Sequence, residues 1–377
     1  MSIVMNPFIV SGKIPVEYFC DRAEESLELE KALTNQLNVV LTSSRRMGKT
    51  SLVDFVFEKP TIKDEYITIT VDILQTTTLR EFIFALGTAV FDVVASRSEK
   101  WRKLFVTILR SLSGSFGYDP IQNIPTFDIR LGDIQQPEFT LREIFQYLES
   151  VEKRCLVVID EFQQITRYPE KNVEELLRTH IQKLSNANFV FSGSRRRLME
   201  EMFFSAKRPF YQSAKPLRLE AIDKDVYYDF AASHFQKAEK AISRNAFDLV
   251  YQTFWGVTLY VQRLMKDAYM ETPAGMACDV AMVSQLIENY INENDSHLRE
   301  QLSFITEAQK ELLYAIHAER QVQSITSSAF NKKHRLRSPS STQSAALKLL
   351  EYDLITRKEK TYSISDPLLS LWLDRRK

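Results

Sequence analysis

Residues 37–57 read LNVVLTSSRRMGKTSLVDFVF and change character once along their length. The first seven form a short apolar run that is rich in β-branched side chains, which predicts a buried strand. The residues after Ser43 have the apolar spacing of a helix. Similar runs follow at 66–73 (YITITVDI), 155–162 (CLVVIDEF) and 187–194 (ANFVFSGS), with helical stretches between them. This β-α-β-α order predicts an α/β domain with a parallel sheet and helices on both faces.

The loop after the first strand fits the phosphate-binding pattern G-x-x-x-x-G-K-[ST] at every defined position except the first, where Ser43 replaces glycine. We expect Gly48 to let the backbone approach a phosphate, Lys49 to neutralise β/γ oxygens, and the Thr50 hydroxyl to ligate Mg²⁺. The predicted nucleotide contacts in this loop are Ser44, Arg45, Arg46, Met47, Gly48, Lys49, Thr50 and Ser51.

A second motif, LVVIDE at 156–161, is an apolar strand that ends in two acids. The carboxyl ends of parallel strands meet at the edge of the sheet where ligands bind, so Asp160 and Glu161 should lie near the phosphate loop. We predict that Asp160 holds Mg²⁺ and that Glu161 orients and deprotonates an attacking water molecule. The two motifs together predict ATP and Mg²⁺ as ligands and Lys49 and Glu161 as catalytic residues.

A third apolar strand ends in FSGS at 191–194 and is followed by three arginines. Ser194 is a candidate catalytic residue that senses the γ-phosphate, and a helix N-cap is the alternative for the same side chain. For Arg195, Arg196 and Arg197, a solvated or phosphate-facing patch is favoured over a catalytic arginine finger.

Beyond Leu219 the strand signals fade, and amphipathic helices continue to about Asn294. The last part of the chain has three helical stretches and then two short strands around a charged turn, which is the order of a winged helix. We therefore predict an ATPase domain at 1–218 with a hairpin insertion near 113–134, a helical lid at 219–296 and a winged helix at 297–377.

Composition excludes several classes of protein. Lysine plus arginine equals aspartate plus glutamate at 49 each, so any basic surface must be local. The three cysteines lack metal-ligand spacing, and no apolar run approaches the length of a bilayer, which predicts a cytoplasmic protein without a membrane partner. No repeated motor core, acidic nuclease cluster or Ser/His constellation stands out.

The chain resembles the archaeal-type P-loop ATPases of the AAA+/STAND group. The resemblance rests on NPF near the start, YFCDRAEE at 18–25, SSRRMGKTSL at 43–52, LVVIDEFQ at 156–163, FSGS at 191–194, FWGVTLYVQRL at 254–264 and YSISDPLLSLWL at 362–373. It implies a nucleotide-binding α/β domain, a helical lid and a winged helix, with Phe19 and Arg22 near the adenine. The chain departs from the family pattern at three places. Ser43 stands in place of the first loop glycine, Ala23 in place of an acid, and Gly256-Val257-Thr258 in place of the glycine-x-proline of the lid.

Two functions follow from these predictions. In the first, ATP hydrolysis is coupled to double-stranded DNA through residues 297–377, which contain 14 lysines and arginines against 9 acids. In the second, ATP and ADP switch the chain between two forms that act on a protein partner without DNA. A homo-oligomer is also open, with Arg208 as either a contact in trans or a structural ion pair.

Overall fold

The computed structural model describes residues 6–119, 124–127 and 130–376. Contacts divide the chain into two compact units, one formed by Ser11–Ile222 and the other by the residues before it together with Asp223–Lys377. We call them the P-loop unit and the helical unit. The start of the chain therefore clusters with the helical unit, whereas the predicted ATPase domain included it. The predicted boundary between lid and winged helix stays a prediction.

The P-loop unit contains seven strands among its described residues. In chain order they are β1 (Val39–Thr42), β2 (Tyr66–Asp72), β3 (Phe116–Asp119), β4 (Ile124–Phe127), β5 (Arg154–Asp160), β6 (Ala187–Gly193) and β7 (Lys215–Arg218). Five of them form one parallel sheet in the order β2-β5-β6-β1-β7. The strand before the phosphate loop is thus internal, and its carboxyl end opens at the same edge as that of β5.

Helices flank this sheet. They are α1 (Ala23–Thr34), α2 (Lys49–Phe57), α3 (Pro60–Lys63), α4 (Leu79–Arg97), α5 (Glu99–Ile108), α6 (Pro137–Ser150), α7 (Val173–Ile181) and α8 (Arg196–Phe204). Short 3₁₀ helices occupy Val16–Tyr18, Arg110–Ser115, Leu131–Asp133 and Phe162–Arg167.

Alternating side chains of the central strands enter two separate hydrophobic cores. Val39 and Leu41 pack with α1 and α2 on one face, and Val40 packs with the larger core on the other face. Leu156 and Val157 of β5 divide in the same way. Burial on both faces explains why these strands are continuous apolar runs, and it confirms the predicted α/β fold with helices on both sides of the sheet.

Within the predicted hairpin insertion near 113–134, the described residues include an antiparallel pair of strands. β3 pairs with β4 in the register Phe116 to Phe127 and Asp119 to Ile124. Residues 120–123 and 128–129 of the predicted insertion lie outside the described residues.

The helical unit continues with nine helices among its described residues. They are α9 (Lys224–Lys237), α10 (Arg244–Thr253), α11 (Thr258–Glu271), α12 (Val280–Glu293), α13 (Asp295–Ser303), α14 (Glu307–Glu319), α15 (Ser328–Lys333), α16 (Pro339–Glu351) and α17 (Pro367–Asp374). Two strand pairs accompany them: the parallel pair β8 (Ala241–Ile242) and β9 (Ala277–Cys278), and the antiparallel pair β10 (Ile355–Lys358) and β11 (Thr361–Ile364).

The segment that begins with Asn6 is anchored in the helical unit. Asn6 Nδ2 donates to the Lys266 carbonyl at 3.0 Å, and its Oδ1 accepts from the Phe8 N–H at 3.0 Å. This turn places Phe8, which is fully buried, in an aromatic anchor with centroid separations of 5.9 to 6.3 Å. The other members of the anchor are Phe230, His234, Phe235 and Tyr269.

The last helix explains why the predicted lid and the C-terminal segment cluster as one unit. Asp366 caps the start of α17 and also accepts from the buried Tyr260 hydroxyl of α11 at 2.8 Å. Trp372 Nε1 donates to Asp295 Oδ1 at 2.8 Å. These hydrogen bonds connect the start and the end of α17 to α11 and α13, which precede the C-terminal β-hairpin in the chain.

Over the described residues, the structure contains no helix whose length and apolar character would let it cross a bilayer.

Candidate nucleotide-binding site

The phosphate loop joins the end of β1 to the start of α2. Gly48 is the last residue before this helix and has a left-handed backbone conformation with φ 87° and ψ 26°. A side chain would be strained there, although the space around its Cα is open. Because the first N–H groups of a helix have no partner within it, the start of α2 is suited to donate to a bound anion. This is the geometry that an anionic phosphate requires.

Lys49 lies under the loop and is 7% exposed. Its Nζ donates to Ser43 Oγ at 3.3 Å. The pKa of Lys49 is lowered, mainly by burial; Glu161 and Asp160 oppose the shift, and Arg45 adds to it. A buried ammonium group near two carboxylates gains a further favourable interaction when an anion is bound.

Ser43, which departs from the glycine of the pattern, has a defined structural role. Its side chain is buried, donates from Oγ to the Ser44 carbonyl at 2.6 Å and accepts from Lys49. Serine thus stands at the glycine position of the pattern, and its hydroxyl group keeps Lys49 hydrogen-bonded to the loop.

The Thr50 hydroxyl and the Asp160 carboxylate lie beside each other, with Oγ1 donating to Oδ2 at 3.3 Å. Both are oxygen donors of the kind that Mg²⁺ takes, and Mg²⁺ characteristically uses one or two protein ligands and completes its shell with phosphate and water. In the described part of the chain there is no cluster of three metal-binding side chains, as this mode of binding allows. The pair therefore fits the predicted cation.

Asp72 was not singled out from the sequence, but the structure brings it to the same edge. It ends β2 opposite Asp160, the last residue of β5. The pKa of Asp72 is raised by partial burial and by the Asp160 and Glu161 carboxylates, whereas its hydrogen bond from the Leu74 N–H lowers it. The signal in the sequence was an acid at the end of a second parallel strand.

Glu161 follows β5 in the left-handed conformation, with φ 54° and ψ 38°. Its N–H donates to Asp160 Oδ1 at 3.0 Å. The Ser194 hydroxyl donates to Glu161 Oε2 at 2.8 Å, and Gln163 Nε2 donates to the same oxygen. Ser194 makes no N-cap hydrogen bond, since Arg195 occupies the N-cap position of α8, so the predicted capping alternative is wrong.

Arg22 and Phe19, which the family resemblance implied near the adenine, contact neighbouring protein groups. Arg22 is 5% exposed, and its Nη2 donates to the Met47 carbonyl at 3.3 Å and to the Glu220 carbonyl at 2.8 Å. The Phe19 ring stacks on Phe55 of α2 at a centroid distance of 4.1 Å. Arg22 therefore supports the backbone of the phosphate loop, and an adenine contact for either residue remains a prediction.

Of the three arginines after β6, Arg196 belongs to a surface ion-pair network. Arg196 contacts Glu200 and Glu220, each at 3.1 Å. Arg208 pairs with Glu174 of the same chain, which corresponds to the structural alternative considered for it.

Comparisons with known proteins agree with this architecture. Residues 296–375 match a family model described as a probable winged helix domain. The chain is similar in structure to a Walker-type ATPase of Pyrococcus abyssi, with 19% identity, 98% of this chain and 99% of that chain covered, and a TM-score of 0.68. It is also similar to the Aeropyrum pernix ORC2 protein in ADPNP-ADP complexes, with 12% identity, 98% of each chain covered and a TM-score of 0.57.

A search of curated protein sequences gives no significant match. At these identities the structural likeness shows a shared fold. The resemblance predicted from the sequence is thereby confirmed at the level of fold: the chain is built like the archaeal Walker-type ATPases, with a P-loop sheet and a C-terminal winged helix.

Proposed function

We propose that this protein binds ATP with Mg²⁺ and hydrolyses it. The observation that carries the proposal is the convergence of Lys49, Thr50, Asp160 and Glu161 at one edge of the sheet, with Thr50 Oγ1 3.3 Å from Asp160 Oδ2. These groups come from two motifs 110 residues apart in the chain. The similar ORC2 structure holds ADPNP and ADP, which supports a nucleotide as the ligand.

Each residue has a role that its position supports. The loop N–H groups and the buried Lys49 ammonium would bind the phosphates, and Thr50 and Asp160 would hold Mg²⁺, whose charge offsets that of the phosphate oxygens. Glu161 would accept a proton from water while the water oxygen bonds to the γ-phosphorus and the bond to the bridging oxygen breaks. The products are ADP and phosphate.

Turnover and binding of ATP by two variants test this assignment. Lys49→Ala should lose ATP binding, and Glu161→Gln should retain ATP binding but lose turnover by about 10²–10⁴-fold. The matched controls are Lys63→Ala and Glu175→Gln, which alter an exposed lysine and an exposed glutamate of the same unit. If wild type neither binds nor hydrolyses MgATP, the proposal is wrong.

We further propose that the C-terminal domain binds double-stranded DNA. Lys332, Lys333, Arg335 and Arg337 are exposed around the end of α15, and Lys358 and Lys360 are exposed at the β10–β11 turn. A helix and a β-hairpin that both carry exposed positive charge are suited to adjacent phosphates of a duplex. Lys333 has a local partner in Glu319, so its contribution should be smaller than that of Lys332.

Salt dependence distinguishes this interaction from protein recognition. Duplex affinity should fall steeply as salt rises, and neutralising Lys332, Arg335, Lys358 and Lys360 should flatten the slope by about one unit for each lost phosphate contact. Replacement of Lys31, which is exposed on α1 of the P-loop unit, is the control. An absence of duplex binding at low salt would contradict the DNA proposal.

A protein partner is the second candidate because α16 also exposes apolar side chains. Leu347 is 59% exposed on this helix, and Tyr352 directly after it is 47% exposed. Apolar groups on an otherwise polar helix favour a protein surface over phosphates. In that case ATP and ADP would switch the chain between forms with different partner affinity, and Leu347→Ser would weaken partner binding without changing the salt slope on DNA.

A further inference from the structure

The Glu161 carboxylate is held through one of its two oxygens. Ser194 Oγ donates to Oε2 at 2.8 Å, and Gln163 Nε2 donates to the same atom. Among the described residues, no hydrogen bond reaches Oε1. A base that removes a proton from water needs one oxygen free to accept it and a fixed orientation for that oxygen. The two donors leave Glu161 in this arrangement.

The donors approach Glu161 from two neighbouring strands. Gln163 lies in the 3₁₀ helix directly after β5, and Ser194 follows the end of β6. The backbone between Glu161 and Gln163 is itself fixed, because the Gln164 N–H donates to the Glu161 carbonyl at 2.8 Å. A carboxylate held from both strands has less freedom to rotate than one held by a single hydroxyl group.

Gln163 occupies an unusual environment for an amide. It is 4% exposed, and its Oε1 has no hydrogen-bond partner among the described residues. The Gln163 Oε1 atom occupies the space beside Gly193 that a larger side chain would fill. A Cβ atom on Gly193 would lie 2.5 Å from Oε1 and 2.6 Å from Met199 Cγ. The glycine of FSGS therefore makes room for the glutamine of DEFQ, which links two motifs that are distant in sequence.

An amide buried with an unpaired oxygen disfavours folding, whereas an apolar side chain of similar size would not. Packing alone would therefore favour leucine or methionine at position 163. The hydrogen bond found for the Gln163 side chain goes to Glu161. The benefit of glutamine at position 163 must then lie in the effect of this hydrogen bond on the Glu161 carboxylate.

We propose that Gln163 is a positioning residue for hydrolysis, which fixes Oε2 of Glu161 so that Oε1 receives the proton of the attacking water molecule. This inference rests on the proposed ATPase function. In this role Gln163 acts through Glu161, so its removal should slow the chemical step and leave nucleotide binding unchanged.

Two substitutions separate this role from packing. Gln163→Leu keeps the volume and removes the donor, and Gln163→Glu keeps the shape but donates only when protonated. The matched control is Gln164→Leu, because the neighbouring Gln164 side chain donates to the Thr76 carbonyl at 2.9 Å and not to Glu161. The measurements are kcat and KM for MgATP over about pH 6–9, ATP affinity and the thermal midpoint.

We expect Gln163→Leu to lower kcat about tenfold or more while KM and ATP affinity are kept and the thermal midpoint is kept or raised. For Gln163→Glu, turnover relative to wild type should be highest at the acidic end of the range and should fall as pH rises. This trend follows because two adjacent charged carboxylates repel each other and cannot form the hydrogen bond.

The outcomes distinguish the two proposals. If wild type does not hydrolyse MgATP, the ATPase function and this role are both overturned. If wild type hydrolyses ATP but Gln163→Leu retains its kcat, or if it loses ATP affinity or thermal stability to the same extent as kcat, only the positioning role is overturned.

Discussion

The aromatic anchor around Phe8 and the charged edge around Glu161, the end of the sheet where Lys49, Asp72 and Asp160 also lie, are built in opposite ways. In the anchor, every ring meets other rings, and Phe8 is fully buried by them. At the charged edge, Lys49 is buried with a lowered pKa, and Asp72 has a raised pKa beside Asp160. The anchor satisfies its groups within the chain, whereas the charged edge keeps charges that favour a ligand.

The two regions therefore contribute to the free energy of folding with opposite sign. Burial of apolar rings stabilises a domain, but desolvated ammonium and carboxylate groups oppose folding until an ion or phosphate is bound. Substitutions in the anchor should therefore change stability, and substitutions at the charged edge should change ligand binding more than stability.

The largest effect is expected in the anchor. Phe8→Ala removes a fully buried ring and should destabilise the helical unit by about 3–5 kcal/mol. Chemical denaturation followed by circular dichroism measures this change. The control is Phe304→Ala, since Phe304 is 73% exposed in the same unit and its removal should cost less than about 0.5 kcal/mol. Equal losses for the two variants would refute the proposed role of the anchor.

An intermediate effect is expected for Arg22, which lies beside the charged edge but whose guanidinium group donates hydrogen bonds to protein carbonyls. Arg22→Ala removes its hydrogen bonds to the Met47 and Glu220 carbonyls and should cost about 1.5–3 kcal/mol. It should also weaken ATP binding about tenfold, because the Met47 carbonyl belongs to the phosphate loop. Arg22→Lys keeps the charge but lacks the planar guanidinium group with its several N–H donors. The ATP affinity of this variant should therefore lie between those of wild type and Arg22→Ala. Unchanged ATP affinity in Arg22→Ala would show that the loop does not depend on this contact.

The smallest effect is expected for Asp72→Asn, and it has the opposite sign. A raised folded-state pKa means that the charged carboxylate opposes folding above that pKa, so removing the charge should stabilise the protein at neutral pH. Because the side chain reaches solvent, the gain should be less than about 1 kcal/mol. The gain should shrink as pH falls through the raised pKa and vanish below 3.8, the ordinary pKa of aspartate, where the side chain is protonated in both states. The test compares the thermal midpoints of Asp72→Asn and wild type as a function of pH, without Mg²⁺ or nucleotide. Destabilisation at neutral pH would contradict the assigned sign.

Much of the P-loop unit could be predicted from local patterns. Apolar runs of strand length, a phosphate-loop motif and a strand ending in Asp160 and Glu161 are each contained in a few consecutive residues. The parallel sheet then follows, because strands that alternate with helices along the chain pair in parallel. For the same reason, the sequence predicts that Thr50 and Asp160 lie together.

Other features depend on contacts between distant residues and have no local pattern. The helical unit takes in the segment around Phe8 because Asn6 bonds to the carbonyl of Lys266, 260 positions later in the chain. Arg22 supports the Met47 carbonyl because the chain folds back over its own loop.

The chemical groups of the site can be predicted from the amino-acid sequence alone: a lysine, a threonine and two acids stand in motifs typical of proteins that bind ATP and Mg²⁺. The support of those groups depends on the folded chain, which places Gln163 against Gly193 and brings Ser194 to the carboxylate of Glu161. The physical reason is that motif residues are adjacent along the backbone, whereas their supporting hydrogen bonds exist only when separate strands pack side by side.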